Sequence, residues 1–175
     1  MLAALRARSE AGEFAVVHAR RGDKIDARAV AGACPDQIAA ATHPAHIAKF
    51  LEHTAKIKPG ASVYIMSNEK NWSHFAALES EFGYPISTFY HYEPLAALMR
   101  GCLGPAAEAG AAGAPLCENF QLFAIEEELM AQIPVPRRIS TLRWTDAVVL
   151  GGSGHYLMED FKGKCTKDGK SASDK

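Results

Sequence analysis

Apolar residues along this chain fall into short dense runs separated by longer stretches of helical spacing. Phe14-Ala15-Val16-Val17 is unbroken and short, the signature of a buried strand. Ser62-Val63-Tyr64-Ile65-Met66-Ser67 is a second such run, rich in β-branched and aromatic residues. Ile86 to Tyr90 reads as a third, shorter strand, Arg138-Ile139-Ser140-Thr141-Leu142 as another ending in hydroxyls, and Ala147-Val148-Val149-Leu150 as one more.

Helical patterns lie between these runs. Ile47, Phe50, Leu51 and Ile57 share one face of a helix that Thr42 caps, with Pro44 in its first turn and Pro59-Gly60 beyond its end. Trp72, Phe75, Ala76, Leu78 and Phe82 repeat the spacing up to a stop at Gly83, and Trp72 and Phe75 are read as core. Phe120, Phe123, Leu129, Met130 and Ile133 mark a longer helix over 119–132, ended by Pro134 and Pro136. Leu2 and Leu5 suit a short opening helix, and Glu93 to Met99 allows another helical turn or two. Ile25 to Ala41, interrupted by Gly32 and Pro35, reads mainly as loop, and Gly101 to Pro115 as a flexible Gly/Ala/Pro loop. Strands alternating with helices predict an α/β fold, a Rossmann-like parallel sheet flanked by helices. One domain over residues 1–161 is expected, followed by a disordered polar tail over 162–175.

Composition narrows the function classes. With 175 residues, 48% hydrophobic and 22% charged, the chain is large enough for one well-packed core. A formal net charge of -1 argues against nonspecific nucleic-acid binding. No apolar run is long enough to span a bilayer. Arg6 and Arg8 stand where a secretory signal keeps its apolar centre, so no leader or membrane anchor is expected in this stretch. The chain starts as if inside a domain, the expectation for a fragment. Cys34, Cys102, Cys117 and Cys165 lack the Cys-x-x-Cys spacing of a zinc site; four buried thiols or two disulfides in any of three pairings remain open. His43 and His46, three apart, have no neighbouring carboxylate or cysteine to complete a metal set and are read as exposed or capping residues. Gly151-Gly152-Ser153-Gly154 lacks the Lys-Ser/Thr of a phosphate loop and is read as a turn.

The candidate chemistry lies at the end of the first strand, in His18-Ala19-Arg20-Arg21-Gly22-Asp23-Lys24. Two adjacent guanidiniums and a glycine at the carboxyl edge of a sheet point to an anionic ligand, phosphate first, because arginine offers it a planar fork of donors. A solvated turn is the plain alternative, and Arg21-Gly22-Asp23 on an exposed loop tip would suit an adhesion module.

This stretch resembles the His-x-Arg-Arg-Gly-Asp motif of the GDP-fucose-dependent protein O-fucosyltransferase-like family, in its plant and algal branch. Three more blocks agree in order. Val63-Tyr64-Ile65-Met66-Ser67-Asn68-Glu69 resembles a strand ending in Thr-Asn-Glu, Ala124-Ile125-Glu126-Glu127-Glu128-Leu129-Met130 an acidic helix, and Ile139-Ser140-Thr141-Leu142 a nucleotide loop. Lys164-Cys165-Thr166-Lys167-Asp168-Gly169 is a weaker echo.

The resemblance implies the C-terminal, Rossmann-like half of a GT-B glycosyltransferase that moves fucose from GDP-fucose to an acceptor hydroxyl on a protein or glycan. No metal or other cofactor is implied, and family members sit in the secretory pathway, in Golgi or endoplasmic reticulum. Arg20 matches the catalytic contact to the β-phosphate and the breaking bond. His18 either bonds the nucleotide or braces the turn. Arg21 either adds field strength or pairs with Asp23 to hold the loop, and Gly22 gives close backbone approach. Ser140 and Thr141 donate to the phosphates or simply end a strand. Glu126 falls near the family's guanine- or ribose-binding aspartate, one methylene longer, or lies on a solvated helix face. Leu142 replaces a usual phenylalanine. These departures leave a second reading open, a non-catalytic α/β module that binds a nucleotide or partner.

Overall fold

The computed structural model describes residues 2–9, 12–21, 25, 34–67, 69, 71–92, 128, 130–141 and 154–161. Within them lie helix α1 (Leu2–Ala7), strand β1 (Phe14–His18), helices α2 (Pro35–Ala41) and α3 (Pro44–His53), and strand β2 (Ser62–Met66). Helix α4 (Ala76–Ser80) and strands β3 (Ile86–Ser87), β4 (Arg138–Ser140) and β5 (His155–Tyr156) follow. These strands form one parallel sheet in the order β3-β2-β1-β4-β5. This is a Rossmann-like α/β arrangement, as the alternation of elements predicts.

The connections of a parallel sheet cross over its faces and cover them, and both faces of this one are accordingly apolar. Side chains alternate across a strand. Ala15 and Val17 of β1, Val63 and Ile65 of β2 and Ile139 of β4 enter one core, with Ile47, Phe50 and Leu51 of α3 and Leu78 of α4. Phe14, Val16, Tyr64 and Met66 face the other way, onto Met130, Ile133 and Tyr156. Ala15, Val16, Val17, Val63, Tyr64 and Ile65 are all 0% exposed. The central pair β1–β2 is therefore a fully buried part of the sheet and the rigid base for whatever follows each strand. Helix α1 packs back on this base, with the Arg6 guanidinium 5.6 Å from the centre of the Phe14 ring.

Several boundaries differ from the sequence expectation. Residues 35–41 are helical rather than loop: Pro35 takes the first helical turn, where its missing N–H costs nothing, and the Cys34 N–H donates to the Gln37 side chain at 3.2 Å. Thr42 closes this helix instead of opening the next, its Oγ1 donating to the Ile38 carbonyl at 2.6 Å. The cap of α3 is His43, whose Nδ1 accepts from the Ala45 N–H. The Trp72 segment is a 3-10 turn (Trp72–Phe75) continued by α4, and Gly83, at φ +71, stops it as expected. The third strand is only two residues long, because the chain turns at Phe89–His91, where the Thr88 N–H donates to His91 Nδ1 at 2.9 Å. Strand β5 follows Gly154. The strand expected at 147–150 lies outside the described residues, as do 93–115 and 162–175.

Glu128, Met130 and Ala131 are helical, in keeping with the end of the helix read over 119–132; its earlier residues lie outside the described ones. Cys34 is disulfide-bonded, so the all-thiol alternative does not hold. Among the described residues no helix is long and apolar enough to cross a membrane.

Candidate functional site at the sheet's switch point

From β1 the sheet grows to one side through β2 and β3 and to the other through β4 and β5. Strand order therefore reverses between β1 and β4. In open α/β sheets the crevice beyond the carboxyl ends of such a pair is where ligands bind. His18 is the last residue of β1, in register with Ser140, the last of β4. His18 to Arg21, the described part of the motif picked out by its charge, thus lie at the topological switch point.

Hydrogen bonds fix the two strand ends to each other. His18 Nδ1 and Ser140 Oγ are 3.0 Å apart, the donor set by the imidazole tautomer. The Thr141 N–H donates to the His18 carbonyl at 3.0 Å, and Thr141 Oγ1 donates to the same oxygen at 2.9 Å. That hydroxyl oxygen also accepts the Arg20 N–H at 3.0 Å. Ser140 and Thr141 are both 0% exposed. Their hydroxyls face into the protein and brace the backbone that carries His18 and Arg20. His18 and Arg20 are themselves half-buried.

The second arginine is held from the β2 side. Arg21 Nε donates to Glu69 Oε2 at 2.8 Å, in a pair whose side chains are each only 18% exposed. Arg21 Nη1 donates to Thr42 Oγ1 at 3.1 Å and reaches the Ala39 carbonyl at 3.5 Å. Both acceptors belong to the C-terminal end of α2, where the helix dipole favours a cation. The Asn71 N–H, donating to Oε1 at 3.0 Å, is the main reason the Glu69 carboxyl is held below its usual pKa; burial opposes this and Arg21 adds to it. Ser67 completes the join: its Oγ accepts the Glu69 N–H at 3.1 Å and donates to the Ala19 carbonyl at 2.6 Å.

His74 lies beside this pair. Its Nε2 is 3.0 Å from the Thr42 carbonyl, and the His43 ring meets it edge-on at 6.3 Å. Burial lowers its pKa and outweighs the bond to Thr42; the Arg21 charge acts in the same direction. The consequence for stability has one sign. The unfolded chain protonates at His74 near its ordinary value of about 6.5 while the folded chain does not, so stability falls as pH drops below that value. Glu69, depressed in the fold, adds a further loss below about 4.3. Urea unfolding at pH 7.5 and 5.5 is expected to show the first loss, and His74→Gln to make it smaller; an undiminished loss in His74→Gln would place its origin elsewhere.

Of the residues singled out in the sequence, the structure brings His18, Arg20, Arg21, Ser140 and Thr141 together. Gly22, Asp23 and Glu126 lie outside the described residues. Sequence reasoning passes over Glu69, Thr42 and His74 as parts of this cluster. Only Glu69 leaves a signal, in the polar Asn68-Glu69-Lys70 that ends the second apolar run. His43 caps α3, and His46 Nε2 lies 3.0 Å from the Leu157 carbonyl. Among the described residues no group of three or more His, Cys, Asp or Glu side chains is placed to hold a metal ion.

Arg21 meets a carboxylate and a helix end, and the Arg20 N–H meets Thr141 where β1 and β4 end. No protein-family model, curated protein or solved structure matches this chain.

Proposed function

We propose that this chain is a nucleotide-sugar donor-binding domain, the C-terminal half of a GT-B fucosyltransferase that uses GDP-fucose. The observation that carries the reading is the meeting of His18-Ala19-Arg20-Arg21 with Ser140-Thr141 at the carboxyl ends of adjacent strands where the sheet order reverses. The nucleotide and the sugar are named by the resemblance of the four sequence blocks. The sheet supports the more general part, an anionic ligand at this edge.

In this reading Arg20 is the catalytic residue. As the bond between the sugar and the diphosphate breaks, negative charge grows on the departing oxygen, and a fixed guanidinium stabilises it more in the transition state than in the ground state. Fixing matters because a cation already in place does not have to reorganise as the charge forms. Thr141 anchors the Arg20 backbone through its N–H, and Ser140 Oγ meets His18 Nδ1. The acceptor site and catalytic base belong, by the resemblance, to a half N-terminal to this motif.

The departures at Glu126 and Leu142 from the family's pattern favour a second reading, a non-catalytic α/β module that binds a nucleotide or a partner. The enzyme and a nucleotide-binding module both require diphosphate recognition, and calorimetric titration of the chain with GDP, GMP and inorganic phosphate tests it. Saturable 1:1 binding of GDP, tighter than GMP, is the expected result. GDP binding no stronger than that of inorganic phosphate would overturn both and leave the partner-binding module. Release of GDP from GDP-fucose, with fucose passing to an acceptor hydroxyl, by a protein that includes the N-terminal half separates enzyme from binding module.

A further inference from the structure

We propose that Glu69 is a positioning residue for the donor site: through Arg21 it sets the placement of Arg20, and with it the preference for a diphosphate over a monophosphate. The proposal rests on the donor-site reading above and names a residue of β2's exit as part of that site.

Arg20 lies between two anchors on opposite sides of β1. On the β4 side its own N–H is held by Thr141 Oγ1 at 3.0 Å. On the β2 side the very next side chain, Arg21, is clamped by Glu69 Oε2 at 2.8 Å. Glu69 is in turn fixed at both ends, its N–H by Ser67 and its other carboxylate oxygen by the Asn71 N–H. Ser67 also holds the Ala19 carbonyl, so residues on both sides of Arg20 are tied to the loop leaving β2. Loss of the carboxylate loosens the Arg21 side chain and removes one of the ties that hold Arg20 from the β2 side. Because the pair is part-buried, solvent screens the clamp less than it would an exposed pair.

A guanidinium poised for one phosphate position is sensitive to small displacements, and a misplacement of about 1 Å can cost as much as about 100-fold in activity. A ligand lacking the β-phosphate does not register that displacement. The ratio of GDP to GMP affinity therefore reports on Glu69 in a way that general destabilisation does not.

The test uses Glu69→Leu, which removes charge and acceptors, and Glu69→Gln, which keeps shape and acceptor oxygen. Amide hydrogen exchange at Arg20 is measured without ligand, and GDP and GMP affinities by calorimetry. In Glu69→Leu, Arg20 exchange is expected to quicken and GDP affinity to fall about tenfold, with GMP affinity within about twofold of wild type, a difference of one well-made hydrogen bond to a charged group. Glu69→Gln shows both changes in the same direction and smaller, and it carries the test if Glu69→Leu does not fold. Equal losses for GDP and GMP, or unchanged exchange at Arg20, overturn the positioning role. If wild type itself does not prefer GDP, the donor-site reading fails, and Arg20 exchange still decides whether Glu69 holds the backbone.

Discussion

Replacing Arg20 by alanine is expected to remove half or more of the stabilisation that GDP gives the folded chain. A ligand at 100 times its Kd stabilises by about 2.7 kcal/mol. For a chain of this size that is a rise in melting temperature of roughly 5–11 °C. A charge-assisted hydrogen bond is worth about 1.5–3 kcal/mol, so its loss weakens binding by roughly 10- to 150-fold. At the same GDP concentration the variant then retains about 0.3–1.4 kcal/mol, a rise of roughly 1–6 °C. The substitution leaves the Arg20 N–H and its bond to Thr141 in place, so the brace between the two strand ends survives in the variant. Thermal melts of both proteins with and without GDP make the comparison. An equal shift in each would remove Arg20 from the site.

The largest loss of stability is expected from Phe75→Ala. Phe75 is 0% exposed and belongs to the core formed by β1, β2, α3 and α4. Its ring lies 4.9 Å from that of His74 and 5.9 Å from that of Trp72. It therefore pins the 3-10 turn that follows Glu69 onto the sheet. Truncation removes the transfer energy of the ring and leaves a cavity, at a cost of about 3–5 kcal/mol, against a total stability of about 5–15 kcal/mol for a typical domain. Urea unfolding should show the midpoint falling with the slope unchanged. A loss below about 1 kcal/mol, the range of surface changes, would mean that this face is not packed as described.

Much of this fold is legible in the sequence because burial writes itself into local pattern. Phe14–Val17 and Ser62–Met66 stand out since both faces of a central parallel strand must be apolar. Ile47, Phe50 and Leu51 stand out since one face of α3 meets that sheet. Shorter elements give weaker signals. Pro35 reads as an interruption although a first helical turn tolerates it, and Ile86 to Tyr90 carries strand-forming residues well past the two that pair.

The site is half legible for a related reason. A cluster of charge at a strand end is visible in the sequence, but its partners depend on strand order and register. Arg21 and Glu69 are 48 positions apart, and His18 and Ser140 are 122 apart. Nothing local in either segment says that they meet. The direction of the Ser140 and Thr141 hydroxyls, likewise, follows from the pairing of β1 with β4. Local reading offers Asp23 as the partner that holds Arg21; Asp23 lies outside the described residues, and Glu69 is a carboxylate that the local sequence does not offer.

The central claim is that a nucleoside diphosphate binds where β1 and β4 end. Backbone amide chemical shifts of the isotope-labelled chain, followed as GDP is added, test it most directly. The expected result is a saturable set of changes concentrated at residues 18–21, 67–71 and 140–141. No change, or changes centred on Phe14 and Ser62 at the opposite edge of the sheet, would contradict it.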